Sequence, residues 1–472
     1  MQPALLNLPF TPGPDDLWFL PLGGCGEIGM NLNLFGHDGA WLMVDCGVTF
    51  EETAKGQQVQ MADPAFIADR AEQIAGFIVT HAHQDHFGAV PWLWPMLEAP
   101  VTTTAFTANV LIGKLRRERV DAPVMTVREG STHQFGPFTV TWLPITHSTP
   151  ETNALLIETP VGRVLHTADW KIDENPVVGD GFDARQWQQL GDIDAVICDS
   201  TNALSPGRSV SEAALVADLT EEIAGAPGRV VVGCFASNIA RLQTLGHVAE
   251  QTGRYIALFG RSLQQMAQAA RGAGYLAESF NAIAPRDIGY LPRNEVLAIA
   301  TGSQGEVGAA LRRLAEDSHP DLNLDPGDRV LFSSRAIPGN EQRIERLNAQ
   351  FMERGIDVVH ADASNRLLHA SGHPCAEELE DLYRWVAPRI AVPVHGEPEH
   401  MVANADIARR AGAAVALTGR NGDLFRLGQT PSVLREAVLA GRMAVDDRGR
   451  IVPALPAIDP ERLRVDPDLP VP

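Results

Sequence analysis

Short apolar, β-branched runs separated by polar and glycine-rich breaks recur along most of the chain. AWLMVDCG (40–47), QIAGFIVT (73–80), FTVTWLPI (138–145), NALLIET (153–159), RVLHTAD (163–169) and DAVICDS (194–200) are predicted as buried strands. Helix-like segments lie between them, so this first block is mixed α/β. From residue 208 the alternation is more regular. RVVVGCFA (229–236) leads into SNIARLQTLGHVAE, where Ser237 or Asn238 can cap a helix, and RYIALFG precedes RSLQQMAQAAR. EVLAIATGSQGE and DRVLFSSRAIPGNE complete a series that predicts a largely parallel sheet flanked by helices. DVVHADASNRLLHASGH (357–373) breaks that rhythm, and RIAVPVHGE (389–397) and AAVALTG (413–419) return to the style of the first block. One reading of the pattern is a domain inserted into another.

At 472 residues the chain exceeds the size of one hydrophobic core, which also points to two or more domains. A content of 45% hydrophobic and 21% charged residues is that of a soluble globular protein, and no apolar run is long enough to span a bilayer. The start, MQPALLNLPFTPGPDDL, lacks the basic lead and apolar stretch of a signal peptide, so a cytoplasmic protein that avoids membranes is expected. Cys25, Cys46, Cys198, Cys234 and Cys375 form no CxxC pair and are expected to be reduced and mostly buried. The net charge of −21 argues against a simple basic nucleic-acid-binding module but leaves room for a local basic strip. The densest such run, KLRRERV (114–120), is read as a solvated helix face, and the end of the chain, PALPAIDPERLRVDPDLPVP, as an extended Pro-rich tail.

Against this background VTHAHQDHFGAVP (79–91) stands out: three histidines and an aspartate within six positions, directly after a predicted strand. His81 and His83 can project the same way, while Asp85 and His86 follow on the loop. Nitrogen and oxygen donors without cysteine suit Zn²⁺ or Mn²⁺ in a catalytic rather than a structural site. Isolated histidines such as His37, His133, His247 and His319 are read instead as hydrogen-bonded structural residues. His147, Asp169 and His395 each follow a predicted strand and bring the set to seven donors. That is enough for two adjacent ions sharing one carboxylate, an arrangement that activates water and clamps an in-line phosphoryl displacement.

The HxHxDH motif with a later His and Asp resembles the metallo-β-lactamase superfamily, and Asp45 in LMVDCG is similar to its early, ligand-orienting aspartate. Asp199 in ICDSTN, His373 in HASGH and His395 in PVHGE resemble motifs A, B and C of the β-CASP nuclease branch. FLPLGGCGEIGMNLNLF, FASNIARLQ, TGSQGE and IPGNE look like the bacterial ribonuclease J family. The resemblance implies an αββα metallo-β-lactamase sandwich carrying an inserted β-CASP domain. On this reading residues 1–16 are an N-terminal extension, 17–205 and 361–452 the two parts of the sandwich, 206–360 the insertion, and 453–472 the Pro-rich tail.

The resemblance further implies that His81, His83 and His147 hold one ion and Asp85, His86 and His395 the other, with Asp169 bridging; the ions are expected to be zinc, with manganese as the alternative. A hydroxide between them would attack RNA phosphorus. Asp199 and His373, with Asp85, are the implied catalytic residues, His373 serving as general acid positioned by Asp199. Ser237, Asn238, Ser303, His369 and Ser371 are implied to form a pocket for a 5′ monophosphate. The activity expected is endonucleolytic and 5′-to-3′ exonucleolytic cleavage of single-stranded RNA by a homodimer. The alternatives are hydrolysis of DNA or a small ester, and a non-catalytic RNA-binding paralogue. Departures from the family text are Ala240 where His is common, Gln84 where Glu is frequent, Cys375 where small residues are usual, and no segment matching the family's C-terminal domain.

Overall fold

A computed structural model describes residues 10–455 except 54–55, 338–339 and 447. The first nine residues of the expected N-terminal extension, the middle of IPGNE and the Pro-rich tail from 456 onward lie outside the described residues. Two β-sheets face each other. One has the order Ser432–Leu434, Leu424–Arg426, Trp18–Gly23, Leu32–His37, Ala40–Val44, Ile74–Ile78, Val101–Thr104, Val124–Val127. The other runs Val415–Ala416, Ile390–Val394, Ala195–Asp199, Gly162–His166, Asn153–Thr159, Phe138–Pro144, Thr132–Phe135.

Strand pleat explains the sequence pattern. In Ala40–Val44, Leu42 and Val44 point between the sheets while Trp41 and Met43 point outward, yet all four are buried. Ala195 and Ile197 likewise face the centre, and Val196 and Cys198 face the opposite layer. Burial on both faces makes such strands continuous apolar runs rather than alternating ones. Phe19, Phe35 and Ile78 meet Trp142, Leu155 and Val392 in the central layer. Each such side chain stabilises the fold by roughly 1.5–3 kcal/mol relative to exposure. Outside the first sheet lie helices Val90–Leu97 and Ala105–Glu118, through Leu93, Leu97, Leu111 and Leu115. Outside the second lie Ala376–Val386 and Pro398–Ala411, through Leu379, Leu382, Ile407 and Ala408.

After Asp199 the chain leaves this sandwich; it returns with helix Ala376–Val386 and then Ile390–Val394, which pairs in parallel with Ala195–Asp199 from Ala195↔Ile390 to Asp199↔Val394. Between them is an all-parallel sheet in the order Ala282–Ile283, Tyr255–Phe259, Val296–Ala300, Val230–Gly233, Arg329–Phe332, Asp357–His360. Helix Ile239–Thr252 covers one face with Leu242 and Leu245, and Glu341–Glu353 covers the other with Leu347 and Phe351. Ala82 and Phe106 of the sandwich join the first of these cores, and Tyr275 Oη donates to Glu151 Oε1 at 2.8 Å across the junction.

Some expectations are trimmed. AAVALTG pairs only through Val415–Ala416, and AWLMVDCG stops at Val44 because Asp45 turns to a φ of 67°. All five cysteines are free and buried. The KLRRERV helix face is exposed at Arg116 and Arg117 but not at Lys114. The Lys114 ammonium lies over the Phe87 and Trp92 rings and donates to Gln84 Oε1 at 2.6 Å. Among the described residues no helix is long and apolar enough to cross a membrane.

Candidate metal centre

The site forms where strands end. Ile74–Ile78 delivers Thr80 and His81, with His83 preceding the single helical turn Gln84–Phe87 that carries Asp85 and His86. Phe138–Pro144 leads to His147, Gly162–His166 to Asp169, and Ile390–Val394 to His395, while Asp199 closes its own strand. Two of these exits, and that of Ala40–Val44, use left-handed backbone at non-glycine residues: Ala168 (φ 51°), His395 (φ 51°) and Asp45 (φ 67°). Each costs about 1 kcal/mol or more, strain that the packed sandwich sustains and that aims the following side chains inward.

The seven donors singled out in the sequence come together. Ligand atoms of His81, His83, His147 and Asp169 lie within 4.8 Å of one another, and so do those of Asp85, His86, Asp169 and His395. Asp169 belongs to both groups. It also belongs to a third with Asp199, His373 and His395. The donor set fits divalent ions on a second count: His81 Nε2 and Asp169 Oδ1 are buried without a hydrogen-bond partner, a costly condition that coordination relieves.

Partners behind the donors fix their orientation. Asp45 Oδ2 accepts from His86 Nδ1 at 2.7 Å, and Asp45 Oδ1 accepts from Thr80 N at 2.8 Å and Thr80 Oγ1 at 3.0 Å. This leaves His86 Nε2 facing Asp169 Oδ2 at 3.2 Å. His395 Nδ1 donates to Thr201 Oγ1 at 2.9 Å, and that hydroxyl donates to Asp199 Oδ1 at 2.7 Å. His395 Nε2 then lies 3.1 Å from Asp85 Oδ2. The other oxygen of Asp199, Oδ2, accepts from His373 Nδ1 at 2.7 Å.

The titration behaviour of the two donor groups differs. Burial, with neighbouring histidines adding, holds His81 and His147 well below the ordinary imidazole range, and burial brings His83 to about 4. These rings are neutral and offer a lone pair. For His86 and His395 burial also opposes charge, but carboxylates outweigh it. Asp169, Asp85 and Asp45 hold His86 well above its usual range, and Asp169, with Asp199 and Asp85, raises His395 to about 10. An ion entering this second group would therefore displace protons. His373 is raised in the same manner: Asp199 and then Asp169 outweigh its burial.

The residues implied for a phosphate pocket lie at the C-terminal edge of the inserted sheet, or on the segment that passes it. Ser237 follows Val230–Gly233, and Ser303 follows the neighbouring Val296–Ala300. His369 Nδ1 lies 3.3 Å from Ser333 O, just past Arg329–Phe332 on the other side. Asn238 is the helix cap, its Oδ1 accepting from Arg241 N at 2.8 Å. Ser371 Oγ accepts from Asn202 Nδ2 at 2.7 Å and lies on the loop that carries His373. Thr80, Thr201 and Asn202 were not singled out in the sequence. Thr80 adjoins His81 in VTHAHQDH, and Thr201 and Asn202 follow Asp199 by two and three positions in ICDSTN; a small polar side chain close to a strand-end donor is the available signal.

Residues 30–200 match the model of the metallo-beta-lactamase superfamily, 227–351 that of the ribonuclease J beta-CASP domain, and 358–416 that of the Zn-dependent metallo-hydrolase RNA specificity domain. The chain is 40% identical over 441 residues to a ribonuclease J of Sinorhizobium meliloti, covering 92% of this chain and 78% of that one. To the ribonuclease J of Mycobacterium tuberculosis it is 36% identical, with 93% and 80% covered. A crystal structure of a protein of unknown function from Enterococcus faecalis shares the fold at a TM-score of 0.62 and 14% identity, covering 87% of this chain and all of that one. Likeness to curated relatives sustained over nine-tenths of the sequence, and in each of its successive segments, shows that the chain belongs to the ribonuclease J family.

Proposed function

We propose that this protein is a metal-dependent ribonuclease that hydrolyses phosphodiester bonds of single-stranded RNA, internally and from a 5′-monophosphate end. The observation that carries the reading is the 2.7 Å pair of His373 Nδ1 and Asp199 Oδ2, set beside two donor groups that share Asp169. His81, His83 and His147 would hold one ion, Asp85, His86 and His395 the other, and Asp169 both. Zinc is preferred by the nitrogen-rich set, with manganese as the alternative. The ions would lower the pKa of water and neutralise charge building on the phosphoryl oxygens.

The protein's own groups do the rest. Asp45 and Thr201 hold His86 and His395 in one ring orientation each. Asp199 accepts a hydrogen bond from His373 Nδ1 and favours the imidazolium, so Nε2 can give its proton to the departing 3′ oxygen. Ser237, Asn238, Ser303, His369 and Ser371 would receive the 5′ phosphate. The limits 17–205 and 361–452 for the sandwich, 206–360 for the insertion, and a dimer through these parts belong to the same reading. Hydrolysis of DNA or a small ester has no comparable support.

The test is end-labelled single-stranded RNA bearing a 5′ monophosphate or a 5′ triphosphate, incubated with the protein and Zn²⁺ or Mn²⁺. Cleavage of both, with mononucleotide release favoured from the monophosphate, is expected. Binding without cleavage under either metal overturns the enzymatic reading.

A further inference from the structure

Glu378 is fully buried, and four neutral donors from three segments converge on its carboxylate. Oε1 accepts from Ile172 N at 2.8 Å and Ser209 Oγ at 2.7 Å. Oε2 accepts from Ser209 N at 2.6 Å and Cys375 N at 2.8 Å. The last of these is half of an ordinary capping box, completed by the Cys375 side chain. A cap explains one contact. The other three reach 169 and 206 positions back along the chain.

Each tethered segment carries a residue of the site. Ile172 follows Asp169 by three residues, Ser209 lies on the crossover that begins at Asp199, and Cys375 follows His373 by two. Surrounding bonds tighten the same junction. Ala376 N donates to Ser205 O at 3.0 Å and Glu377 N to Gly207 O at 3.1 Å, so the first turn of the helix is docked on the crossover. Asn202 Nδ2 donates to His373 O at 3.2 Å. The buried Lys171 ammonium donates to Val210 O at 3.0 Å and pairs with Asp173 at 3.2 Å. Glu378 is thus the common point of the loops that hold Asp169 and His373, whose Oδ2 and Nδ1 atoms stand 4.0 Å apart.

We propose that Glu378 is a positioning residue for the leaving-group step: by clamping the three loops it sets where the His373 proton meets the departing oxygen. The inference rests on reading His373 as the acid. Glu378→Gln turns an amide toward backbone donors and loosens the clamp without touching a donor of the metal centre. Ser209→Ala removes one hydroxyl donor and leaves the carboxylate paired, so it serves where the first variant does not fold.

The experiment compares RNA with bis(4-nitrophenyl) phosphate, whose nitrophenolate leaves without a proton, using metal-loaded full-length protein with ion content measured. His373→Ala is the control: its turnover of RNA should fall about a hundredfold or more and that of the activated diester less than about threefold. If both fall alike, the acid reading of His373 fails. Given that control, Glu378→Gln should lower kcat on RNA about tenfold with KM within about twofold, spare the diester, retain both ions, and add no loss in the His373→Ala background. Ser209→Ala should show the same selectivity at about threefold. Equal losses on the two substrates, no loss on RNA, or a further loss in the His373→Ala background overturns the proposal.

Discussion

His147 Nδ1 donates to the carbonyl oxygen of Gly372 at 2.6 Å, so a donor of the metal centre and the loop of His373 hold each other across 225 positions of chain. The bond turns Nε2 of His147 toward Asp169 Oδ2, 3.8 Å away. A side chain at 372 cannot share that space, since a Cβ there would meet His147 Cε1 at 2.7 Å and Nδ1 at 2.8 Å. Gly372→Ala should displace the imidazole, lower metal content at the histidine-rich position and reduce RNA turnover about a hundredfold. Metal analysis by mass spectrometry beside kinetics checks it; full occupancy with wild-type rate would mean that the loop yields instead.

Among the described residues Asp169 is the only carboxylate common to all three donor groups. Asp169→Asn keeps its volume and removes the charge that offsets the surrounding imidazoles. Turnover should fall by about a thousandfold or more, with bound ions dropping below two per chain and the circular dichroism spectrum unchanged. Wild-type activity in this variant would mean that the bridging role is misassigned.

His369 tests the inserted sheet's edge through pH. Burial, with Arg241 and Arg335 adding, holds it at about 3, against an ordinary value of 6.5. The unfolded chain therefore takes up a proton near pH 6.5 that the folded chain refuses. The stability contribution is complete above that pH and is lost as pH falls toward 3, with a slope of at most about 1.4 kcal/mol per pH unit. His369→Asn should flatten the fall in stability between about pH 6.5 and 4, measured by urea unfolding. An unchanged slope would show that His369 titrates normally.

Lys114 and Gln84 form a second testable pair. Burial brings the Lys114 ammonium to about 8, and its Nζ donates to the exposed amide of Gln84. Gln84→Glu places a carboxylate at that acceptor and should raise stability at pH 7 by about 0.5 kcal/mol, an effect that 1 M salt reduces. Destabilisation on this change would show that the added charge is felt by Asp85 next to it rather than by Lys114.

Much of this was legible in the sequence because ligands sit at the ends of apolar runs. His81, His147, Asp169 and His395 were each marked by a strand that stops beside them, and the strands formed there. The regular alternation from 229 onward likewise became an all-parallel sheet. What stayed hidden depends on contacts between distant segments. Nothing in the spacing of Thr201 says that its hydroxyl links His395 to Asp199, and nothing in KLRRERV says that Lys114 folds over two aromatic rings. Strands Trp18–Gly23 and Leu32–His37 were also not singled out, because FLPLGGCGEIGMNLNLF mixes its apolar residues with glycines and asparagines.

The parallel pairing of Ala195–Asp199 with Ile390–Val394 also sets an order of assembly. During synthesis, the first sheet edge and most of the donors emerge long before His373 and His395. Until the strand that ends at Val394 leaves the ribosome, Ala195–Asp199 has only Gly162–His166 as a sheet neighbour and His395 is not in place. The donor set is therefore completed only after the whole inserted sheet has been synthesised, so its assembly is coupled to closure of the sandwich around that insertion.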